Sequence, residues 1–313
     1  MSALVKGNPL NRSMHAARAS KQDEFYTQLS DIEKELRHYT AHFKGKTVLC
    51  NCDDPRVSKF FHYFSYHFGK LSLKKLIATC YKSQERDLFS RNNSEHAIYL
   101  EYKGTKGKGS VPDPETIGIK HLNGDGDFRS AESIALLKKA DIVVTNPPFS
   151  LFREYLAQLI EHDKTFLIIG SKNAVTYKAI FKLIQGNRLW FGHGFSNGNA
   201  YFAVPQGNSR EFADGVYDPK TGLVKFRNVG WFTNLDIAKR HEDLIPYKSY
   251  DPKDHPRYDT YDAIEVSKFA DIPADYDGAM GVPITFLEKY NPDQFEILGI
   301  TDRDNNSGLK TKT

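Results

Sequence analysis

The sequence predicts an α/β fold, with a mostly parallel sheet covered by helices on both faces and a C-terminal region of different character. Three observations predict it. Short apolar runs at 47–50, 76–80, 142–145 and 166–169 have the length and continuity of strands buried on both faces. Segments with apolar residues at helical spacing lie between these runs, so that strand and helix alternate. Beyond Gln185 the alternation stops, and aromatic and glycine-rich stretches take over. At 313 residues, the chain has material for one large α/β domain with an appended region.

The elements follow in order. Residues 1–20 carry Lys6, Arg12 and Arg18 without periodicity and read as a flexible basic arm. From Asp31, the positions Ile32, Leu36, Tyr39 and Phe43 trace an amphipathic helix, and the first strand follows at 47–50. Asp54 before Pro55 signals a helix start, because Asp caps free amides and Pro suits the first helical position. Val57, Phe60, Phe61, Phe64 and Phe68 give that helix one apolar face, and 76–80 is the next strand. Residues 103–127 hold six glycines with Lys103, Lys106 and Lys108, a long surface loop.

Ser130 opens a helix ending in Lys138 and Lys139, where the helix dipole favours cations. After the strand at 142–145, Ser150 is the expected cap of a helix whose apolar face includes Leu151, Phe152, Tyr155, Leu156, Leu159 and Ile160. A strand at 166–169 and a helix over 177–184, stopped by Gly186, complete the alternating part. Residues 188–313 read as short strands and long loops, some completing the edge of the sheet and the rest forming a specificity region.

Composition excludes several classes. Three cysteines, Cys50, Cys52 and Cys80, are too few for a disulfide framework, and no Cys/His spacing offers a metal set, so no metal is expected. No apolar run approaches the ~18 residues that span a bilayer, and the start lacks the apolar centre of a secretory signal; a cytoplasmic protein is expected. A net charge of +4 neither demands nor excludes a polyanionic partner.

The most informative segment is Asn146-Pro147-Pro148-Phe149, where a buried strand runs into a rigid turn and then a helix. Ligands of open α/β sheets sit beyond the carboxyl ends of strands, which is where this tetrapeptide falls. An amine conjugated to an aromatic ring is a weak nucleophile because its lone pair is delocalised. Two acceptors aimed at its two hydrogens, Asn146 Oδ1 and the Pro147 carbonyl, localise that lone pair and stabilise the positive charge that develops on nitrogen. Pro148 stiffens the turn, and Phe149 can stack on the ring and hold the amine near a methyl donor. Cys50 and Cys52 read as packed side chains, since amine methylation needs no covalent intermediate.

Asn146-Pro147-Pro148-Phe149 in this setting resembles motif IV of the amino-group methyltransferases. Four further blocks, 21–28, 50–58, 124–130 and 277–286, appear in the same order and make the chain resemble the adenine-specific DNA methyltransferases of the EcoRI type over about residues 21–300. The resemblance implies a Rossmann-like class I methyltransferase fold, with a catalytic domain that binds S-adenosylmethionine at 21–187 and sheet completion plus target recognition at 188–313. It implies S-adenosylmethionine as methyl donor and double-stranded DNA as substrate, with the adenine flipped out of the stack. Asp23, Phe25, Tyr26 and Thr27 match the block that closes over the methionine part of the cofactor.

By the same resemblance, Asn51, Cys52, Asp53 and Asp54 occupy the turn after the first strand, with Asp53 or Asp54 toward the cofactor's cationic end. Asp127 and Phe128 match the block that contacts its adenine. The sequence departs from the family pattern twice: Asn51–Asp54 replaces a glycine-rich loop, and Thr79-Cys80-Tyr81 stands where an acidic residue usually holds the ribose. Asn and Asp tolerate left-handed backbone and so can make the same tight turn. The expected protein is a monomer, with a cognate restriction endonuclease that forms no stable complex with it and GAATTC as the first guess for its site. Two other readings stay open, an RNA adenine or protein glutamine methyltransferase and a catalytically silent DNA-binding protein of the same fold.

Overall fold

A computed structural model describes residues 25–81, 97–104, 110–204 and 212–301. The arm at 1–20, Asp23, Lys106 and Lys108 lie outside the described residues. The chain opens with β1 (Tyr26–Thr27) and α1 (Leu29–Leu36), which a 3₁₀ turn extends through Phe43. Ile32, Leu36, Tyr39 and Phe43, the predicted apolar positions, are all fully buried. Next come β2 (Thr47–Asn51), α2 (Lys59–Tyr66), β3 (Lys75–Cys80), β4 (Ile98–Tyr102), the short α3 (Pro114–Ile117) and β5 (Lys120–His121). Then follow α4 (Ala131–Lys139), β6 (Ile142–Thr145), α5 (Phe152–Glu161), β7 (Thr165–Ser171), α6 (Lys178–Gln185) and β8 (Trp190–Phe191). Six short strands complete the set: β9 (Ala200–Ala203), β10 (Tyr217–Asp218), β11 (Leu223–Phe226), β12 (Val229–Thr233), β13 (Ile264–Glu265) and β14 (Met280–Gly281).

Two of the expected helix starts move. Asp54 and Pro55 open a turn, in which the Asp54 carbonyl accepts from the Val57 and Ser58 amides, and the cap of α2 is Ser58, whose Oγ accepts from Phe61 N at 3.3 Å. Ser150 lies inside a 3₁₀ turn over Phe149–Leu151, and α5 begins at Phe152 without a side-chain cap. Ser130 caps α4 as its sequence position indicates, accepting from Ser133 N at 3.2 Å.

The described chain divides into two units. The first comprises the residues up to Lys172 together with Gly194–Leu235, and it contributes seven strands to the central sheet in the order β5-β4-β3-β2-β6-β7-β12. The expected mostly parallel sheet is corrected to a mixed one. Only β3, β2, β6 and β7 run parallel, while β4, β5 and β12 pair antiparallel on the two flanks. The burial pattern explains the difference. Val48, Leu49, Leu76, Ile77, Val143, Val144, Leu167 and Ile168 of the parallel strands are at most 1% exposed, the signature of a sheet covered on both faces. In β4 burial alternates instead, with Ile98, Leu100 and Tyr102 inside and Tyr99 and Glu101 half-exposed, as suits an antiparallel flank.

A second, antiparallel sheet of the same unit runs in the order β1-β9-β11-β10. Its register places Thr27 opposite Phe202 and Tyr26 opposite Ala203. It therefore ties the N-terminal block to strands almost 180 residues later in the chain. The second unit comprises Asn173–His193 and the chain from Asp236 onward, and holds α6, β8 and the parallel pair β13–β14. It has its own small core of Ile264, Val266, Ile272, Phe286 and Tyr290. Among the described residues, no helix is long and apolar enough to cross a membrane.

Candidate active site

The site is built where the strand order reverses. β3 lies on one side of β2, and β6 followed by β7 lies on the other, so the carboxyl ends of β2 and β6 flank a topological switch point. The two ends are tied directly, because the Thr145 hydroxyl donates to the Asn51 carbonyl. Asn146 and Pro147 leave β6 as buried residues, and Pro148 and Phe149 emerge half-buried.

Asn146 is held at one end of its amide and open at the other. Its Nδ2 donates to the Phe25 carbonyl at 2.6 Å and to Thr27 Oγ1 at 3.3 Å, which fixes the rotation of the side chain. Its Oδ1 is buried and has no hydrogen-bond partner among the described residues. An unpaired buried acceptor costs about 1–3 kcal/mol, so Oδ1 is a position that a donor, from solvent or from a ligand, is suited to fill. The Phe149 ring lies 5.9 Å from Phe25, 6.3 Å from Phe202 and 6.2 Å from Phe226, in an aromatic cluster floored by the small sheet.

Beside this cluster is a cavity of about 250 Å³. Asn51, Cys52, Asp127, Phe128 and Pro148 all line it, so two of the sequence blocks and the motif meet around one space. The Asn51 side chain is fixed by Tyr155, whose hydroxyl donates to Asn51 Oδ1 at 2.6 Å, and the Tyr155 ring meets Phe128 edge-on at 5.1 Å. Burial pushes the Tyr155 phenol well above its usual pKa, so it stays a donor at neutral pH. Asp127 accepts from Arg129 Nε at 2.8 Å and NH2 at 2.6 Å, and Arg129 also reaches Glu154 at 2.8 Å. Gly126 lines the same cavity with φ of +78°.

The turn after β2 is tight in a way its composition did not indicate. The left-handed residue is Cys52, with φ of +89°, and not one of the Asn or Asp residues around it. Such a conformation costs a non-glycine residue roughly 1–2 kcal/mol, whereas glycine gives back about 0.5–1 kcal/mol of that in lost chain entropy. Cys52→Gly is therefore expected to raise stability by up to about 1 kcal/mol in urea unfolding. A loss of more than about 1 kcal/mol would mean that the Cys52 side chain contributes packing that outweighs its strain.

Asp54 does not line the cavity. It is buried, its carboxylate accepts from Arg56 N at 2.9 Å and NH1 at 3.0 Å, and burial raises its pKa against the pull of Arg56. Asp53 is half-buried in the same turn, and Tyr26 is half-buried on β1. Burial pushes the Cys80 thiol up to about 12 and the Cys50 thiol well above its usual range, so neither is a thiolate at neutral pH. Among the described residues, no group of three or more His, Cys, Asp or Glu side chains is placed to hold a metal ion.

Comparison with known proteins bears directly on this geometry. Residues 13–313 match the family described as adenine-specific methyltransferase EcoRI. The chain belongs to that family. This adenine-specific methyltransferase is 49% identical to type II methyltransferase M.EcoRI of Escherichia coli over 304 residues, 95% of this chain and 93% of that protein. It is 41% identical to type II methyltransferase M.MpnI of Mycoplasma pneumoniae, with 90% of this chain and 83% of that protein covered. Against type II methyltransferase M.MgeORF184P of Mycoplasma genitalium the identity is 40%, over 90% and 84%. No solved structure matches the chain.

Several residues of this candidate site of the methyltransferase escaped the sequence reading. Tyr155 read as one more apolar position of α5, although a phenol on a buried face needs a polar partner and so carried a signal. Gln158, one turn further on, lines the cavity and donates to the Phe128 carbonyl at 3.0 Å. Arg129 carried its signal in the Asp-x-Arg spacing. Phe202 and Phe226 carried none, because only the pairing of β9 with β1 and β11 brings them to Phe149. The block Asp277–Phe286 lies in the second unit, where β14 and the following residues line a separate cavity of about 690 Å³.

Proposed function

We infer that this chain transfers a methyl group from S-adenosylmethionine to the N6 amine of a flipped-out adenine at a specific site in duplex DNA, using Asn146-Pro147-Pro148-Phe149. The observation that carries this reading is the asymmetry of Asn146: Nδ2 is pinned by Phe25 and Thr27, and the buried Oδ1 waits for a donor. The exocyclic amine of adenine is such a donor, with two hydrogens for two acceptors. Asn146 Oδ1 takes one and the Pro147 carbonyl the other, and the nitrogen lone pair turns out of the ring plane toward the methyl group. Phe149 stacks on the purine and fixes its approach. Because these acceptors stabilise charge as it forms, no side chain need act as a strong base, and the excess proton leaves once the nitrogen is methylated.

The residues present fit the methyl donor. The cavity beside Asn146 combines an aromatic wall at Phe128 with the carboxylate of Asp127, suited to the adenine of the cofactor, and Asn51 and Cys52 form its turn. When bound, S-adenosylmethionine supplies an electrophilic methyl group on a sulfonium. Phe25, Tyr26 and Thr27 are assigned to the methionine side, Asp23 joins them by the family resemblance alone, and Asp53 is assigned to the cationic end because Asp54 is buried whereas Asp53 is half-buried in the same turn. The four parallel strands and their switch point support a Rossmann-like class I core. We assign catalysis to 21–187 and target reading to 188–313, in a cytoplasmic monomer with a cognate nuclease acting separately.

The test is methyl transfer from labelled S-adenosylmethionine to unmethylated bacterial DNA, followed by nucleoside analysis. Label is expected in N6-methyladenine, with GAATTC the first site to examine, and DNA affinity is expected to fall steeply with salt. Cofactor binding with no label in DNA would overturn the reading in favour of an RNA or protein substrate.

A further inference from the structure

The glycine-rich stretch that ends at Gly198 has a construction that the chemistry of methyl transfer does not use. Within the first unit, the loop from Gly194 to Asn199 leads directly into β9. Its base is held from two sides. Gly194 N donates at 2.8 Å to Oε2 of Glu35, a carboxylate with no exposed surface whose Oε1 accepts from the Tyr39 hydroxyl at 2.7 Å. Phe195 stacks on the buried Trp231 at 5.7 Å and 23°, and meets Phe202 at 6.2 Å. Phe202 in turn contacts Phe149 at 6.3 Å, so the base of the loop is two ring contacts from the aromatic residue of the motif.

The tip is built differently. Ser196, Asn197 and Gly198 are exposed, and the backbone closes on itself through Gly198 N to Phe195 O at 3.0 Å and Asn199 Nδ2 to Asn197 O at 3.1 Å. Asn197 holds φ of +55° and ψ of +24°, the left-handed conformation that glycine adopts without strain. Glycines stand at 192, 194 and 198, yet this position keeps a primary amide, which has no hydrogen-bond partner among the described residues. A rigid base, a short closed tip and an outward amide make a probe. Asparagine, like glutamine, carries a donor and an acceptor that match adenine N7 and N6 together in the major groove, and of the two it is the one that tolerates a left-handed backbone.

We propose that Asn197 reads an adenine of the recognition sequence close to the methylated base, with buried Glu35 and the Phe195–Trp231 stack positioning the loop that carries it. The proposal rests on Phe149 receiving the target adenine, and its test separates the two. Parent, Asn197→Gly and Asn146→Ala enzymes are expressed in a host without adenine methylation, and methylated positions are mapped across the genome by modification-sensitive sequencing. Asn197→Gly suits the variant because glycine keeps the left-handed backbone and removes only the amide.

The expected result is a motif relaxed at one A·T pair, with discrimination at that pair lowered about 10- to 100-fold and other positions unchanged. Discrimination within about twofold of the parent at every position would overturn the proposal. So would an equal loss of methylation at all sites, which is the behaviour of a phosphate contact or a folding defect. Activity retained in Asn146→Ala would instead remove the placement of the target base, whatever Asn197→Gly does.

Discussion

Asn146→Ala is expected to lower single-turnover methyl transfer by about 10²–10³-fold or more, while the affinity for S-adenosylmethionine stays within a few-fold of the parent. The size follows from losing one preorganised acceptor at a site of developing charge, the class of interaction whose removal typically has this effect. Cofactor affinity is expected to change little because Asn146 is absent from the wall of the 250 Å³ cavity, lined by Asn51, Cys52, Asp127 and Phe128, and because the Tyr26–Thr27 strand stays held by its pairing with Phe202 and Ala203. A structural cost comes with the substitution, since the buried Phe25 carbonyl and Thr27 hydroxyl lose their donor. That cost is about 1–3 kcal/mol per unsatisfied group at most, which thermal unfolding separates from the kinetic effect. A rate within tenfold of the parent, with cofactor binding intact, would remove Asn146 Oδ1 as the amine acceptor.

Gly126→Ala has the second large expected effect, and it acts on the fold and the proposed cofactor site together. A Cβ at position 126 would stand 2.6 Å from the Cys80 carbonyl oxygen and 2.8 Å from the Ala97 Cβ, and neither is the far end of a flexible side chain. The φ of +78° adds strain for any L-residue. Left-handed strain of roughly 1–2 kcal/mol and overpacking of about 1–3 kcal/mol act in the same direction. For a unit of this size, the melting temperature is expected to fall by about 5–15 °C. Because Gly126, Cys80 and Tyr81 all line the cavity, the shift must also open or distort it. S-adenosylmethionine should therefore stabilise the variant less than the parent in the same thermal scan. An unchanged melting temperature would show that the loop around Gly126 relaxes freely, and the close packing of the cavity wall would lose its significance.

Much of the core was legible because its signal is local. The four parallel strands are apolar runs buried on both faces, and a run of that kind is readable without knowing its neighbours. The Asn-Pro-Pro-Phe turn was legible for a similar reason: two prolines after a buried strand fix the backbone whatever else is present. What stayed hidden depended on small energy differences or on distance. Asp54-Pro55 and Ser58 are both sound helix starts: Asp54 closes one turn, accepting from Arg56 N, and the regular helix begins only after Ser58. Cys52 carries the left-handed strain since Thr145 and Tyr155 fix Asn51 on one side and the buried Asp54 fixes the other. β12 follows β11 after only two residues with no helix between them, so no helical period directly announced this antiparallel flank.

The sequence alone indicated that this protein has an α/β core, that Asn146–Phe149 is its candidate catalytic turn, and that its family is that of the adenine-specific methyltransferases. Each of these rests on the order and spacing of neighbouring residues. Tertiary structure decided how the motif is aimed. The groups that pin Asn146 lie 121 and 119 residues away in sequence, and the rings around Phe149 come from β9, β11 and the segment just before β1. A side-chain amide rotates freely until a donor or acceptor from elsewhere fixes it, so only the folded chain determines which end of Asn146 is held and which is left without a partner.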